Sequence, residues 1–198
     1  MSSVVIAGDT SGSVTLQAPA IAGSTVLTLP STSGTLSTSA GPTLGTPVAT
    51  TSGTSITFTG IPAGAKQIIL SLDRVSTNGT SRKLIRIGDS GGIETNDYFS
   101  ESTSFLNATV ATGAGITGYS INSLLAAQEL SGSITFTLLN SSTNTWAAFG
   151  VLTNTVDSND SFITSGSKSL SAVLDRIQIT TVNGTDTFDN GVINIAYM

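Results

Sequence analysis

From about residue 51, apolar and polar residues alternate in short runs separated by turn residues. The first runs, Ile56–Thr59 and Ile68–Leu72, are followed by Asn78-Gly79, a pair favoured in tight hairpin turns. Later runs of the same kind are Lys83–Ile87, Ile134–Leu139, Trp146–Leu152, Leu170–Thr181 and Val192–Tyr197. A period of two over short runs is typical of strands with one buried face. Residues 51–198 are therefore predicted to form a jelly-roll-like antiparallel β-sandwich.

One window, Ile121–Leu130, has a helix-like spacing of apolar residues. Periodicity cannot decide so short a run, and we interpret it as a loop or a single helical turn.

The string Leu72-Asp73-Arg74-Val75 returns as Leu174-Asp175-Arg176-Ile177. Convergence of turn-plus-strand units explains such an echo most simply. If the echo is structural, the two Asp-Arg pairs are expected at matching corners of the sandwich.

The N-terminal 36 residues form a different kind of segment, an extended arm. Its strand candidates are Val14-Thr15-Leu16 and Val26–Leu29, and each is closed by a proline, Pro19 or Pro30. Their apolar area is too small to offset the entropy lost on ordering. We therefore expect identical copies or a larger surface to hold this arm in place.

Residues 37–50 separate the arm from the sandwich. This stretch contains Ala40-Gly41-Pro42 and Gly45-Thr46-Pro47, a composition that favours extended linker backbone. The expected organisation is thus an arm over 1–36, a linker over 37–50 and a sandwich over 51–198.

Composition agrees with an all-β chain. Charged residues make up 10% of the 198 residues, compared with about 25% in typical soluble domains. Ser and Thr take the place of the missing charges, and the 21 Gly favour turns. The length is enough for one standard domain plus an arm.

The number and distribution of charged residues limit the classes of partner that we expect. The net charge is −5 and the seven basic residues are scattered, whereas nucleic acid and anionic membranes require a concentrated basic surface. Residues 1–65 contain one charged residue, Asp9. No apolar run approaches the roughly 18 residues of a membrane span, and the N-terminus does not resemble a signal peptide. We expect a soluble protein made in the cytoplasm, with neither nucleic acid nor membrane as a partner.

The sequence contains neither Cys nor His. Ser–His and Cys–His catalysis are therefore excluded, which leaves carboxylate pairs, a Ser–Lys pair or an oxygen-ligated metal. We expect no catalytic residues, no cofactor and no resident metal.

The densest acidic cluster is Asp89, Glu94, Asp97 and Glu101. Such carboxylates could bind Ca²⁺ or act as a glycosidase pair, or they could simply lie in a solvated loop. The spacing fits no defined metal-binding loop, which favours the solvated loop. For Asp157 with Asp160, and Asp186 with Asp189, roles in turns are favoured over metal binding.

Aromatic residues provide candidate contact sites. Trp146 lies within a predicted strand, which favours core packing over sugar stacking. In contrast, Tyr98, Phe99, Phe105 and Tyr119 fall in a loop-rich region and are predicted to form an exposed, ligand-facing surface.

Two parts of the chain resemble proteins of tailed-bacteriophage virions. Gly12–Ala20 with Thr28-Leu29-Pro30 resembles a segment found near their N-termini. A C-terminal module of such proteins is similar to five segments here and to the closing strand: Gly60-Ile61-Pro62, Ser76–Ser81, Ile87–Thr95, Leu174-Asp175-Arg176, Ile179–Asp189 and Gly191–Tyr197. The resemblance implies a homotrimer with a virion-docking N-terminus and an outward β-sandwich. The family contributes no catalytic residues.

The resemblance leads us to expect a non-enzymatic capsid decoration or cement protein on the virion surface. Three arms would pair across chains on the major capsid protein, burying their docking and trimerisation residues: Val14, Leu16, Val26, Leu27 and Leu29. The alternative is a tail-fibre protein or adhesin, which would attach to a tail component and bind host surface glycans. The chain has no long repetitive shaft, which favours the capsid role.

Overall fold

The computed structural model describes residues 3–7, 13–17, 41–106, 109–156 and 160–198. The chain divides into two compact units, residues 1–39 and residues 40–198. The boundary falls within the stretch that was expected to link arm and sandwich.

The N-terminal unit contains an antiparallel two-stranded ribbon. Strand β1 (Ser3–Ala7) pairs with β2 (Ser13–Gln17), so that Val5 lies opposite Thr15. The strand predicted around Val14 and Leu16 is therefore present as β2. The second predicted strand, with Val26, Leu27 and Leu29, lies outside the described residues.

The second unit is a sandwich of two antiparallel sheets, as the alternation predicted. In spatial order, the strands of the large sheet are β10 (Thr109–Gly115), β9 (Phe99–Leu106), β14 (Asp160–Ser169), β13 (Thr145–Asn154), β12 (Leu130–Asn140), β6 (Gln67–Thr77), β16 (Phe188–Tyr197) and β3 (Thr43–Leu44), with β4 (Val48–Ala49) also paired to β16. Those of the small sheet are β11 (Tyr119–Ile121), β7 (Lys83–Asp89), β15 (Leu174–Thr181) and β5 (Ile56–Thr59), with β8 (Gly92–Ile93) paired to β7. The prediction of an all-β sandwich is confirmed.

Apolar residues of both sheets meet in one core. Phe136 and Ile195 of the large sheet belong to the same buried cluster as Ile87 and Ile177 of the small sheet. Trp146 is part of this cluster, so its predicted core role is confirmed. The window after Ile121 is a loop with a single turn, also as expected.

Part of the expected linker belongs to the sheet. β3 and β4 pair with β16, and the Gly45 amide donates to the Ile195 carbonyl at 2.7 Å. The interpretation of residues 43–49 as linker is therefore wrong. The composition was misleading because Pro42 and Pro47 lie just before β3 and β4 and do not interrupt them.

Asn78-Gly79 connects strands of different sheets, because β6 lies in the large sheet and β7 in the small one. It is therefore not a hairpin turn. Gly79 allows a close approach instead, since a Cβ atom there would lie 2.2 Å from the carboxylate of Asp186. That carboxylate accepts a hydrogen bond from the Ser81 amide at 2.9 Å.

Both Leu-Asp-Arg strings coincide with β-bulges. Between Leu72 and Val75, β6 contains one residue more than the segment of β12 with which it pairs. Arg74 lies in this bulge and has a positive φ of 53°. In β15, the pairing with β7 shifts between Leu174 and Arg176. The sequence echo therefore marks one bulge in each sheet, which fits the frequent occurrence of bulges where sandwich strands bend.

A ladder of serines joins the two sheets beside β11. Ser100 and Ser102 of β9 accept hydrogen bonds from the amides of Ser120 and Asn122 at 2.9 and 2.8 Å. Ser104 accepts from the side-chain amide of Asn122 at 3.0 Å. These hydroxyls satisfy buried groups on the edge of β11 that would otherwise require a neighbouring strand.

Candidate functional site

Tyr98 and Tyr119 lie in the core, so the prediction that they face a ligand is wrong. They are 2% and 0% exposed, and their rings contact edge to face with centroids 5.2 Å apart. The Tyr98 hydroxyl accepts a hydrogen bond from the Ile87 amide at 2.9 Å, and the Tyr119 hydroxyl donates to the Trp146 carbonyl at 3.2 Å. Burial raises the pKa of both hydroxyls. Both rings therefore have a structural role.

Phe99 and Phe105 are exposed, by contrast, and stand on the outer surface of the large sheet. They alternate along β9 with the inward-facing serines of the ladder. Phe149 of β13 is exposed on the same surface, and sequence reasoning missed it. The alternation of side chains along β13 predicts its exposure: because Trp146 and Ala148 point inward, Phe149 must point outward.

The outward-facing residues of β10, β9, β14, β13 and β12 form a regular grid, which we call the aromatic face. Cross-strand registers place them in four rows: Phe99–Ser167–Ala147–Thr137; Ala114–Glu101–Ser165–Phe149–Thr135; Thr112–Thr103–Ile163–Val151–Ser133; and Val110–Phe105–Ser161–Thr153. Glu101 is the one charged residue in this grid. The outer surface of the small sheet, in contrast, has Arg86 and Arg176 among its outward residues.

A shallow open depression of about 370 Å³ lies at one end of the aromatic face. Phe99 and Ile116, 78% and 73% exposed, form its apolar wall. Glu101 and Ser165 add a carboxylate and a hydroxyl. This combination could contact a ligand that has both apolar and hydroxyl surfaces.

The four acidic residues do not form one site. The Asp89 carboxylate accepts from the Ser171 hydroxyl at 2.6 Å, and Glu94 pairs with Lys168 at 2.5 Å. Glu101 lies on the aromatic face. Within the described ranges there is no group of three or more acidic residues positioned to hold a metal.

Hydrogen bonds explain the ionisation of Asp89 and Glu94. The Ser171 hydroxyl and the Gly91 amide hold the pKa of Asp89 below its usual range. Burial opposes ionisation of Glu94, but hydrogen bonds from Lys168 and Ser171 outweigh it and lower the pKa. These carboxylates thus fix the loop around Ser171.

We expect chelation with EDTA to leave the melting temperature within about 1 °C of its untreated value, because Asp89 and Glu94 already have protein partners. Differential scanning calorimetry of the full chain, with and without EDTA, measures this. A fall of several degrees that added Ca²⁺ reverses would instead demonstrate a bound metal.

The other acidic residues also have structural partners. Asp186 accepts from the Asn183 side chain at 2.5 Å, and Asp189 is hydrogen-bonded to the Ser76 hydroxyl. Asp160 accepts from Gln128 and Asn154, each at 3.3 Å. Asp157 lies outside the described residues.

Lys83 is an unexpected feature, because its side chain is fully buried. Its ammonium donates to the Ser123 hydroxyl at 3.2 Å, and that hydroxyl donates to Gln128 at 3.0 Å. Burial lowers the pKa of Lys83 to about 8, against the opposing charges of Asp189 and Asp186. Although this is a Ser–Lys pair, neither side chain has exposed surface for a substrate to reach.

Comparisons of the chain with protein-family models, curated proteins and solved structures find no match. In the part of the chain that the structure describes, no helix has the length and apolarity to cross a membrane. The likeness to virion proteins therefore rests on the sequence segments quoted for it.

Proposed function

We propose that this protein is a non-enzymatic structural component of a bacteriophage virion, a homotrimeric capsid decoration or cement protein. In this proposal the N-terminal unit docks on the major capsid protein and joins the copies, and the β-sandwich is displayed outward. The proposal combines the sequence resemblance with one structural observation, the exposure of Val5 and Ile6 in the N-terminal ribbon.

The ribbon exposes aliphatic side chains on both of its faces. Val5 and Ile6 are consecutive in β1, so they point to opposite sides, yet they are 58% and 57% exposed. A two-stranded ribbon is at best marginally stable alone in water. Contacts with other chains would cover both faces, which supports a docking role for this unit.

The sandwich supports a structural role in a different way. Its buried polar groups bond to one another: Lys168 pairs with Glu94, and Gln128 bonds to Asp160. Such contacts position strands and loops. They also occupy Asp89, Glu94 and Asp160, three of the carboxylates that are candidates for chemistry in the sequence.

The double substitution Val5→Asp with Ile6→Asp is expected to abolish trimerisation and capsid binding while leaving the sandwich folded. Two buried carboxylates would each cost several kcal/mol at an apolar contact. Multi-angle light scattering gives the oligomer mass, and co-sedimentation with capsids lacking the protein gives docking.

The matched control is Val173→Asp with Val182→Asp, which changes two exposed aliphatics of the sandwich, 50% and 48% exposed. This variant should trimerise and dock normally. If the ribbon variant assembles as well as its control, the ribbon is not the docking element and the proposal fails.

The depression beside Phe99 and Glu101 favours a second candidate, a tail-fibre protein or adhesin that binds host glycans. An exposed aromatic ring can stack on a sugar while a carboxylate accepts from its hydroxyls. Copy number separates the two candidates, since a capsid decoration protein is present in hundreds of copies and a tail protein in about a dozen. Quantitative mass spectrometry of purified virions measures it.

A further inference from the structure

We propose that the aromatic face is the surface by which the sandwiches of neighbouring copies pack against one another. This inference rests on the proposed self-association and adds to it a second contact, remote in sequence from the ribbon. The occupant of the face is a further copy of this chain.

Exposed aromatic rings are confined to this face. Among the described residues, Phe99, Phe105 and Phe149 are the aromatic side chains left largely exposed, and all three belong to the grid. Val110 and Val151, 59% and 48% exposed, lie among them. Exposed apolar side chains surrounded by hydroxyl residues are typical of interaction sites in soluble proteins.

The charge pattern favours a copy of the same chain as the partner. Hydroxyl and apolar residues fill the face apart from Glu101, so each copy brings a single carboxylate to the contact and the repulsion between two acidic chains is small there. The outer surface of the small sheet has Arg86 and Arg176, whose charges would have to be desolvated.

The dimensions fit a three-fold arrangement. Five strands span about 24 Å and four rows about 20 Å, which gives each copy about 500 Å² of flat area and a larger accessible area. Around a three-fold axis each pair of copies shares about 500 Å² of flat area, less than the roughly 1,200 Å² of an interface that is stable by itself, so this contact adds to the ribbon contact and does not replace it. Three walls about 24 Å wide place each backbone about 7 Å from the axis, about 2 Å more than half of the ordinary sheet-to-sheet spacing of about 10 Å. The side chains of Phe149 and Phe105 are long enough to fill this additional space between the backbone and the axis.

Single cysteines provide the test, because the natural chain contains none. Ser165→Cys and Ser133→Cys place a thiol on the aromatic face, and Thr57→Cys places one on the outer surface of the small sheet. All three positions are exposed in a single chain. The probe is a fluorescent maleimide, applied to the full-length assembled protein after its oligomeric mass has been measured.

We expect the two face cysteines to react at least tenfold more slowly than Thr57→Cys in the oligomer. All three should react at similar rates when the copies are separated by Val5→Asp with Ile6→Asp. In addition, Phe149→Lys should weaken association about tenfold with an unchanged melting temperature, and Val182→Lys should not.

Rapid labelling of both face cysteines in an intact oligomer would overturn this inference and leave the proposed function standing. Loss of host-cell adsorption after that labelling would instead assign the face to the host surface and also overturn the inference. A wild-type chain that remains monomeric would overturn both the contact and the proposed trimer.

Discussion

Lys83→Met is expected to stabilise the folded protein by about 1–3 kcal/mol at neutral pH. Lys83 is fully buried in the sandwich, where its ammonium donates a hydrogen bond to the neutral Ser123 hydroxyl. Methionine has a similar length and needs no hydrogen-bond partner. Ser123 retains its own bond to Gln128, so removing the cation does not break the rest of this chain of contacts.

The same lysine makes stability depend on pH. Its pKa is about 8 in the folded protein and about 10.5 when unfolded. Between these values the unfolded chain binds more protons, so stability rises with pH. The full difference in pKa corresponds to about 3 kcal/mol in the free energy of unfolding. The folded protein lacks this stability below pH 8 and regains it as the pH rises toward 10.5. The exposed Lys66 provides a matched control, because Lys66→Met removes the same charge from the surface.

Urea unfolding at intervals from pH 7 to pH 9.5 measures both effects. Wild type and Lys66→Met should gain stability over this range, and Lys83→Met should remain level. A flat wild-type profile, or a loss of more than about 1 kcal/mol in Lys83→Met, would show that the buried cation is well compensated.

Gly166→Ala is expected to destabilise the fold by about 3 kcal/mol or more. A Cβ atom at this position of β14 would lie 2.0 Å from the Phe99 carbonyl oxygen and 2.9 Å from the Ser100 Cα atom. Both obstacles are backbone atoms of β9, so a rotamer change cannot relieve the clash. The two strands must separate, which weakens the end of the aromatic face next to Phe99.

Gly64→Ala is the matched control, because nothing lies within 4 Å of the added methyl group and Gly64 is not among the positive-φ glycines. Its stability should change by less than about 0.5 kcal/mol. Chemical unfolding of both variants gives the comparison. A loss below about 1 kcal/mol in Gly166→Ala would mean that β9 and β14 adjust more freely than their pairing indicates.

The sequence predicted the fold class because alternation is a local signal. Strands with branched aliphatic residues, such as Ile134–Leu139, were visible in it, as was the core position of Trp146. β9 was not. Its inward residues Ser100, Ser102 and Ser104 are polar, so its alternation looked like loop composition.

That error also explains the wrong prediction for the tyrosines. With β9 read as a loop, Tyr98 and Tyr119 appeared to be exposed, although both close the core beside the serine ladder. Phe149 was overlooked because its exposure follows from its position three residues after Trp146, which places the two side chains on opposite faces of β13. The burial of Lys83 depends on contacts across the fold, and no local pattern carries that information.

The serine ladder has a consequence for the free edge of the small sheet. Where β11 ends the small sheet, the amides of Ser120 and Asn122 already have hydroxyl acceptors. A strand from a neighbouring molecule finds no free donors at these positions. The ladder therefore protects this edge against the addition of a foreign strand, the reaction by which sheets of separate molecules join into aggregates.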